Sequence, residues 1–328
     1  MKQFDRDVIA REEEAQYKLL MFKPRQYWID LYLDKVRPNY EPLLAWKHRE
    51  TVEDASMPVD AERIYIKARD GYDLPELIYR PKNTEGQRLP TYFQIHGGGW
   101  VMGVPEINDP ECRRYRDEAG VQVINLGHRL APEWEFPYAP EDCYDGIKYF
   151  VEHADEYGID VDRLGVGGES AGAELAIDMV MLANDRKDFS FKMQLLSYPN
   201  VNLGYVAEDV MVGAAPDPGF FQDFYVTSPA CYCDPCQLRN PLISPLFAHD
   251  VTLAAMPTTV LMTCEFDQLR PQAEDWALRL MKNGVTVIEK CFPGTAHGFS
   301  LDVEGSDPAQ VKAGIDFLVE GLKNYLVR

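Results

Sequence analysis

The chain has 328 residues, 46% of them hydrophobic and 26% charged, ordinary values for a globular protein long enough to bury a large core. Its formal net charge of -20 argues against nucleic acid as a partner, because phosphate binding needs a basic surface. No run of about eighteen apolar residues occurs, so no membrane span is expected.

The start of the chain, Met1 to Asp7, is charged where a secretory signal is apolar. Seven cysteines without framework spacing suit free thiols in a reducing cytoplasm. Residues 1–55 show helical spacing in Tyr27, Trp28, Leu31 and Tyr32, and Pro24, Pro38 and Pro42 divide them into short helices. This stretch reads as an accessory helical layer. From Arg63 the period changes to strands, at Ile64–Ile66 and Leu77–Tyr79, with Asp70-Gly71 as a turn between them. Thr91–Ile95 reads as a buried strand that ends in His96-Gly97-Gly98-Gly99-Trp100. A helix over Arg113–Ala119, a strand over Val121–Leu126 and a helix over Ala139–Tyr157 follow. Arg163–Gly167 is a short strand, Ala173–Arg186 a helix and Met193–Ser197 a strand.

Residues 200–243 interrupt the alternation. Asp217-Pro218 signals a helix start, and Phe220, Phe221, Phe224 and Tyr225 then place four aromatics on one face. The rhythm resumes with a strand at Thr259–Cys264, a helix over Pro271–Asn283, a last strand at Val285–Ile288 and a last helix over Pro308–Leu326. Strands alternating with long helices imply an α/β fold with a mostly parallel sheet covered on both faces.

Gly168-Glu169-Ser170-Ala171-Gly172 lies between a strand and a helix, the context of a nucleophile elbow. Small neighbours let chain segments touch around a strained serine; an incidental glycine-rich turn would look the same in isolation. A serine hydroxyl needs a base held by a third group. His297, in the loop after the last strand, is in the right chain position for the base, although a solvent-exposed loop histidine is the plain alternative. The acid belongs at the end of the strand between them, where Glu265 and Asp267 stand; Asp267 is the choice and Glu265 the reserve. Either could instead cap a helix or form a surface ion pair. The run Gly97-Gly98-Gly99 offers unhindered N–H groups for a developing oxyanion, together with the N–H of Ala171. No Lys-Ser/Thr follows these glycines and the dinucleotide spacing is missing, so neither a phosphate cradle nor a dinucleotide site fits. Trp100 and the aromatics Phe220, Phe221, Phe224 and Tyr225 are candidate walls of an apolar pocket, though helix aromatics often serve only packing. Cys231, Cys233 and Cys236 form C-x-C-x-x-C, but no fourth ligand has convincing spacing, so free thiols are expected rather than a metal.

Assembled, the chain resembles the hormone-sensitive-lipase-like family of α/β-hydrolase esterases from about residue 63 onward. The likeness rests on His96-Gly97-Gly98-Gly99, Arg129-Leu130-Ala131-Pro132-Glu133, Glu141-Asp142 and Gly168–Gly172. It continues in Asn240–Leu246, Asp267-Gln268-Leu269-Arg270 and His297-Gly298-Phe299. The resemblance implies Ser170 as nucleophile, Asp267 as acid, His297 as base, and Gly97, Gly98 and Ala171 as the oxyanion hole. It also implies a helical cap built from residues 1–55 and 200–243 over a catalytic domain of 56–199 and 244–328. His128 stands where the family usually has tyrosine and reads as structural, and Glu169 replaces the usual aspartate of the elbow. The expected activity is hydrolysis of small-molecule carboxylic esters of short to medium acyl chain, without metal or organic cofactor, in the cytoplasm. An amidase or peptidase of the same fold would share every catalytic group. A non-catalytic receptor would be expected to lack one. An exposed final helix or strand edge would permit a homodimer.

Overall fold

Residues 23–38, 59–205, 218–301 and 306–328 are described in the computed structural model, residues 218–223 by their backbone alone. The elements in chain order are α1 (Arg25–Leu31), β1 (Glu62–Lys67), β2 (Asp73–Tyr79), β3 (Leu89–Ile95), α2 (Asp109–Arg114) and β4 (Gln122–Leu126). Next come α3 (Tyr138–Glu152), β5 (Ile159–Glu169), α4 (Ala171–Arg186), β6 (Met193–Ser197) and α5 (Pro218–Tyr232). The chain closes with β7 (Thr258–Phe266), α6 (Arg270–Lys282), β8 (Val287–Ala296) and α7 (Pro308–Leu322). The strands form one sheet in the order β1-β2-β4-β3-β5-β6-β7-β8. The pairs involving β2 are antiparallel and all later neighbours are parallel, the mostly parallel sheet the alternating pattern implies.

Period-two alternation sends adjacent strand residues to opposite faces. Phe93, Ile124, Val166, Leu196 and Leu261 enter one core with α3, α4 and α6. Tyr92, Val123, Leu195, Val260 and Met262 enter the other with α2 and α7. On α7 the buried Val311, Ile315, Leu318, Val319 and Leu322 make one stripe, the amphipathic pattern of a helix lying on a sheet. The parallel strands end on the same side, so the loops that follow β3, β5, β7 and β8 share one edge of the sheet.

The last strand departs from expectation. It is not confined to Val285–Ile288 but runs from Val287 to Ala296, pairing Thr263 with Cys291 and Phe266 with Ala296. An edge strand tolerates polar residues, so Glu289 and Lys290 mask its period in the sequence. Its extra length delivers the chain directly to His297.

Of the two non-sheet stretches, residues 1–22, 39–58 and 206–217 lie outside the described residues, Asp217 and Pro42 among them. What is described joins them. Arg25 Nε donates to the carbonyl of Ala230 at 2.7 Å and Nη1 to Glu135 at 2.9 Å. The Tyr32 hydroxyl donates to the carbonyl of Val101 at 3.1 Å, so the segment after α1 holds the loop that follows the glycines. Arg129 explains much of the motif around it. Its guanidinium grips Asp142 through Nε and Nη2, reaches Asp70 through Nη1, and lies over Tyr72, Trp134 and Tyr138. A bidentate, aromatic-flanked arginine is a rigid clamp between loops. Among the described residues no helix is long and apolar enough to cross a membrane.

Candidate active site

Ser170 sits at the β5–α4 junction with φ 55° and ψ -115°, a left-handed conformation that costs a non-glycine residue about 1–3 kcal/mol. Three backbone contacts hold it there. Its N–H donates to Ser197 at 2.9 Å, and its carbonyl accepts from Glu174 at 3.1 Å and from Asn200 at 3.4 Å. A side chain at Gly172 would collide with the carbonyls of Ile95 and His96, so the start of α4 can press against the end of β3 only because this residue is glycine.

The structure brings the three candidate groups together. Ser170 Oγ is 2.9 Å from His297 Nε2, and His297 Nδ1 is 2.8 Å from Asp267 Oδ2. The other oxygen of Asp267 accepts the N–H of Leu269 at 2.9 Å, and the carboxylate is 1% exposed. Glu265 is not brought in. Its Oε2 accepts the N–H of Gly294 at 2.9 Å instead. One residue escaped the sequence: Tyr198, whose ring meets His297 edge-on at 4.9 Å and whose hydroxyl pairs with Ser300 at 2.8 Å. It helps fix the imidazole plane, and nothing in Tyr198-Pro199 marks it in the chain.

The glycine loop lies beside the elbow. A Cβ at Gly97 would stand 2.8 Å from the carbonyl of Glu169, and one at Gly98 would strike the carbonyl of Met102. Gly98 also has φ 123°, which L side chains rarely adopt. Among the described residues the amides of Gly98 and Ala171 carry no backbone hydrogen bond. These donors are therefore available to an anion next to Ser170, as a tetrahedral intermediate requires.

The aromatic candidates divide. Trp100 points into the core rather than forming an open wall. It is 1% exposed, donates from Nε1 to the buried Glu174 at 2.9 Å and stacks on Tyr232. Phe224 lies over the loop, with its ring 2.5 Å from where a Cβ on Gly99 would be, and Tyr225 meets the His297 ring at 6.0 Å. The side chains of Phe220 and Phe221 lie outside the described residues. Cys231 and Cys233 are buried, with burial pushing both thiols up to about 12, and Cys236 is exposed. His128 is buried and stacked on His96 at 4.2 Å, and burial lowers both imidazoles below their ordinary range. A neutral stacked pair under the glycine loop fits the structural reading of His128.

Burial also shapes the acids around the elbow. Desolvation and the nearby Glu111 carboxyl drive Glu169 well above the usual carboxylate range. Desolvation likewise raises Glu174. Neither could be read from sequence, because nothing in a chain marks an acid as buried.

Known proteins resemble this chain in sequence and in fold. A family model described as alpha/beta hydrolase fold matches residues 92–301. An arylesterase of Saccharolobus solfataricus is 35% identical over 240 residues, spanning 71% of this chain and 75% of that protein. An ethyl acetate hydrolase of Pseudomonas putida is 32% identical over 275 residues, 80% of this chain and 81% of the relative. Among solved structures, the hyperthermophilic esterase from Pyrobaculum calidifontis superposes with a TM-score of 0.76 at 30% identity, over 93% of this chain and 98% of that one.

Proposed function

Because this chain belongs to the hormone-sensitive-lipase-like α/β-hydrolases and is a carboxylic ester hydrolase, we propose that Ser170, His297 and Asp267 carry its reaction through an acyl-enzyme. The reading rests on one observation, the unbroken row of hydrogen bonds from hydroxyl to imidazole to carboxylate. Ser170 Oγ attacks the ester carbonyl carbon as its proton passes to His297 Nε2. Asp267 keeps the proton on Nδ1 and offsets the positive charge of the imidazolium. The carbonyl oxygen becomes an alkoxide that accepts from the N–H groups of Gly97, Gly98 and Ala171. When the carbonyl re-forms, the C–O bond to the alcohol breaks and His297 returns the proton to the leaving oxygen. Water then repeats the sequence on the acyl-enzyme and releases the acid.

The reading extends to a cap made of residues 1–55 and 200–243, supported by the contacts of Arg25 with Ala230 and Glu135. Phe224 and Tyr225 then crowd the glycine loop and His297, which favours small apolar acyl groups. The name of the ethyl acetate hydrolase points the same way. Cytoplasmic location is inferred from free cysteines alone. A second reading has one observation in its favour. A bovine relative 26% identical over 74% of this chain is named arylacetamide deacetylase, so aryl amides belong in the substrate panel. Matched acetate esters and acetamides decide between them, with the ester expected to turn over faster. Substituting Ser170→Ala should abolish hydrolysis of p-nitrophenyl acetate by a folded protein, and undiminished turnover would dismiss the mechanism.

A further inference from the structure

Glu169 immediately precedes Ser170, and its carboxyl is buried at 1% exposure. Its Oε1 accepts from Gln94 and its Oε2 accepts from Asn108 at 2.9 Å. Beside it on α2 stands Glu111, 3% exposed, whose Oε1 accepts the Tyr115 hydroxyl. The other oxygen of Glu111 is buried and meets no N–H or O–H donor among the described residues, and the two carboxyls act on each other's titration as hydrogen-bonding neighbours. Two carboxyl groups can bond only when one carries a proton, and burial opposes ionising both.

We propose that Glu169 and Glu111 are positioning residues that share one proton, and that this proton holds the Glu169 side chain and, through it, the strained turn of Ser170. The inference rests on Ser170 being the nucleophile. Its physical basis is the short lever: one peptide bond separates Glu169 from a residue in a conformation it would not adopt unaided. With both acids charged, repulsion in a site that excludes water would push Glu169 off its anchors and let the turn relax. The surroundings do not neutralise that charge. Tyr92 from β3, Tyr198 after β6, and Cys112 and Tyr115 from α2 and its continuation face the pair, and burial keeps all four neutral. Arg114 acts on Glu111 from the same helix but is engaged with Glu118 and Asp316. Burial holds Glu111 up at about 7, and burial with the neighbouring Glu111 carboxyl holds Glu169 well above the ordinary carboxylate range, which favours a proton retained between them.

The test is the pH dependence of kcat for p-nitrophenyl acetate, read at the isosbestic wavelength of the product, in wild type and three variants. Wild type should show an alkaline limb falling about tenfold per pH unit once the shared proton is lost. Glu111→Gln supplies a permanent N–H donor and should abolish that limb. Glu111→Leu supplies none and should lower kcat at neutral pH by about tenfold, with KM little changed. Tyr115→Phe removes the hydroxyl that favours ionised Glu111, so the limb should move to higher pH. If Glu111→Gln does not fold, the shift in Tyr115→Phe decides. Superimposable alkaline limbs, or full kcat in Glu111→Leu, would overturn the proposal. Failure of Ser170 to react with a fluorophosphonate would instead remove the parent reading, so the two failures are distinct.

Discussion

Replacing Asp267 by asparagine isolates what the buried carboxylate does. Its two oxygens have different duties: Oδ2 accepts from His297 Nδ1 at 2.8 Å and Oδ1 accepts the N–H of Leu269 at 2.9 Å. An amide has only one oxygen, so one duty must be dropped. If the amide nitrogen faces His297, Nδ1 must be unprotonated, the proton moves to Nε2, and the base can no longer accept from Ser170. If the oxygen faces His297, the amide nitrogen confronts the N–H of Leu269 and a buried donor is left unpaired, at about 1–3 kcal/mol. Either arrangement also loses the attraction between carboxylate and imidazolium, about 4 kcal/mol for charges some 4 Å apart at an effective dielectric of about 20. That loss alone corresponds to nearly a thousandfold, and the wrong tautomer adds to it, so kcat should fall by about 10³–10⁴. Initial rates on p-nitrophenyl acetate, normalised by a thermal melt showing a folded variant, measure it. Glu265→Gln, which keeps its contact with Gly294, should change kcat less than about twofold. A loss below about tenfold for Asp267→Asn would refute the reasoning.

Other outcomes follow from the same contacts. Gly99→Ala places a methyl group 2.5 Å from the Phe224 ring at φ 59°, and should lower kcat/KM by about tenfold; adding Phe224→Ala should recover part of the loss in a double-mutant cycle. Trp100→Phe leaves Glu174 Oε2 without its donor and should cost about 1–3 kcal/mol of stability in urea unfolding, whereas a change under about 0.3 kcal/mol would show that bond to be idle. The raised carboxyls of Glu111 and Glu169 set a direction for stability. In the folded state they hold protons that the unfolded chain releases near pH 4.3, so their contribution is complete below that pH and declines above it, for Glu111 as pH rises through about 7. Between about pH 5 and 7.5 the urea midpoint of wild type should therefore fall relative to Glu111→Gln, and parallel curves would exclude the raised values.

Local pattern carries the fold, and it singles out the three side chains that the structure sets within hydrogen-bonding distance of one another. The elbow announces itself because a tight strand-to-helix turn demands small residues around a serine, and Asp267 and His297 follow because successive parallel strands end on one edge. Legibility stopped where contacts are made across the fold. Solvent-facing Glu289 and Lys290 break the apolar run of the edge strand β8, so its pattern in the sequence stops at Ile288. Trp100 looked like a pocket wall from its neighbours in the chain, but its partner Glu174 lies seventy-four positions away. The Glu169–Glu111 pair and the packing of Tyr198 on His297 were invisible for the same reason. Burial and partnership are properties of the folded surface, and acids and tyrosines are mostly exposed when only their type is known.

The most direct measurement of the central claim is covalent trapping. Treating the protein with a fluorophosphonate and mapping the adduct by peptide mass spectrometry should give one phosphonyl group, on Ser170, with labelling slowed when His297 is replaced by glutamine and absent in Ser170→Ala. An adduct on another residue, or none on a protein that still hydrolyses esters, would contradict it.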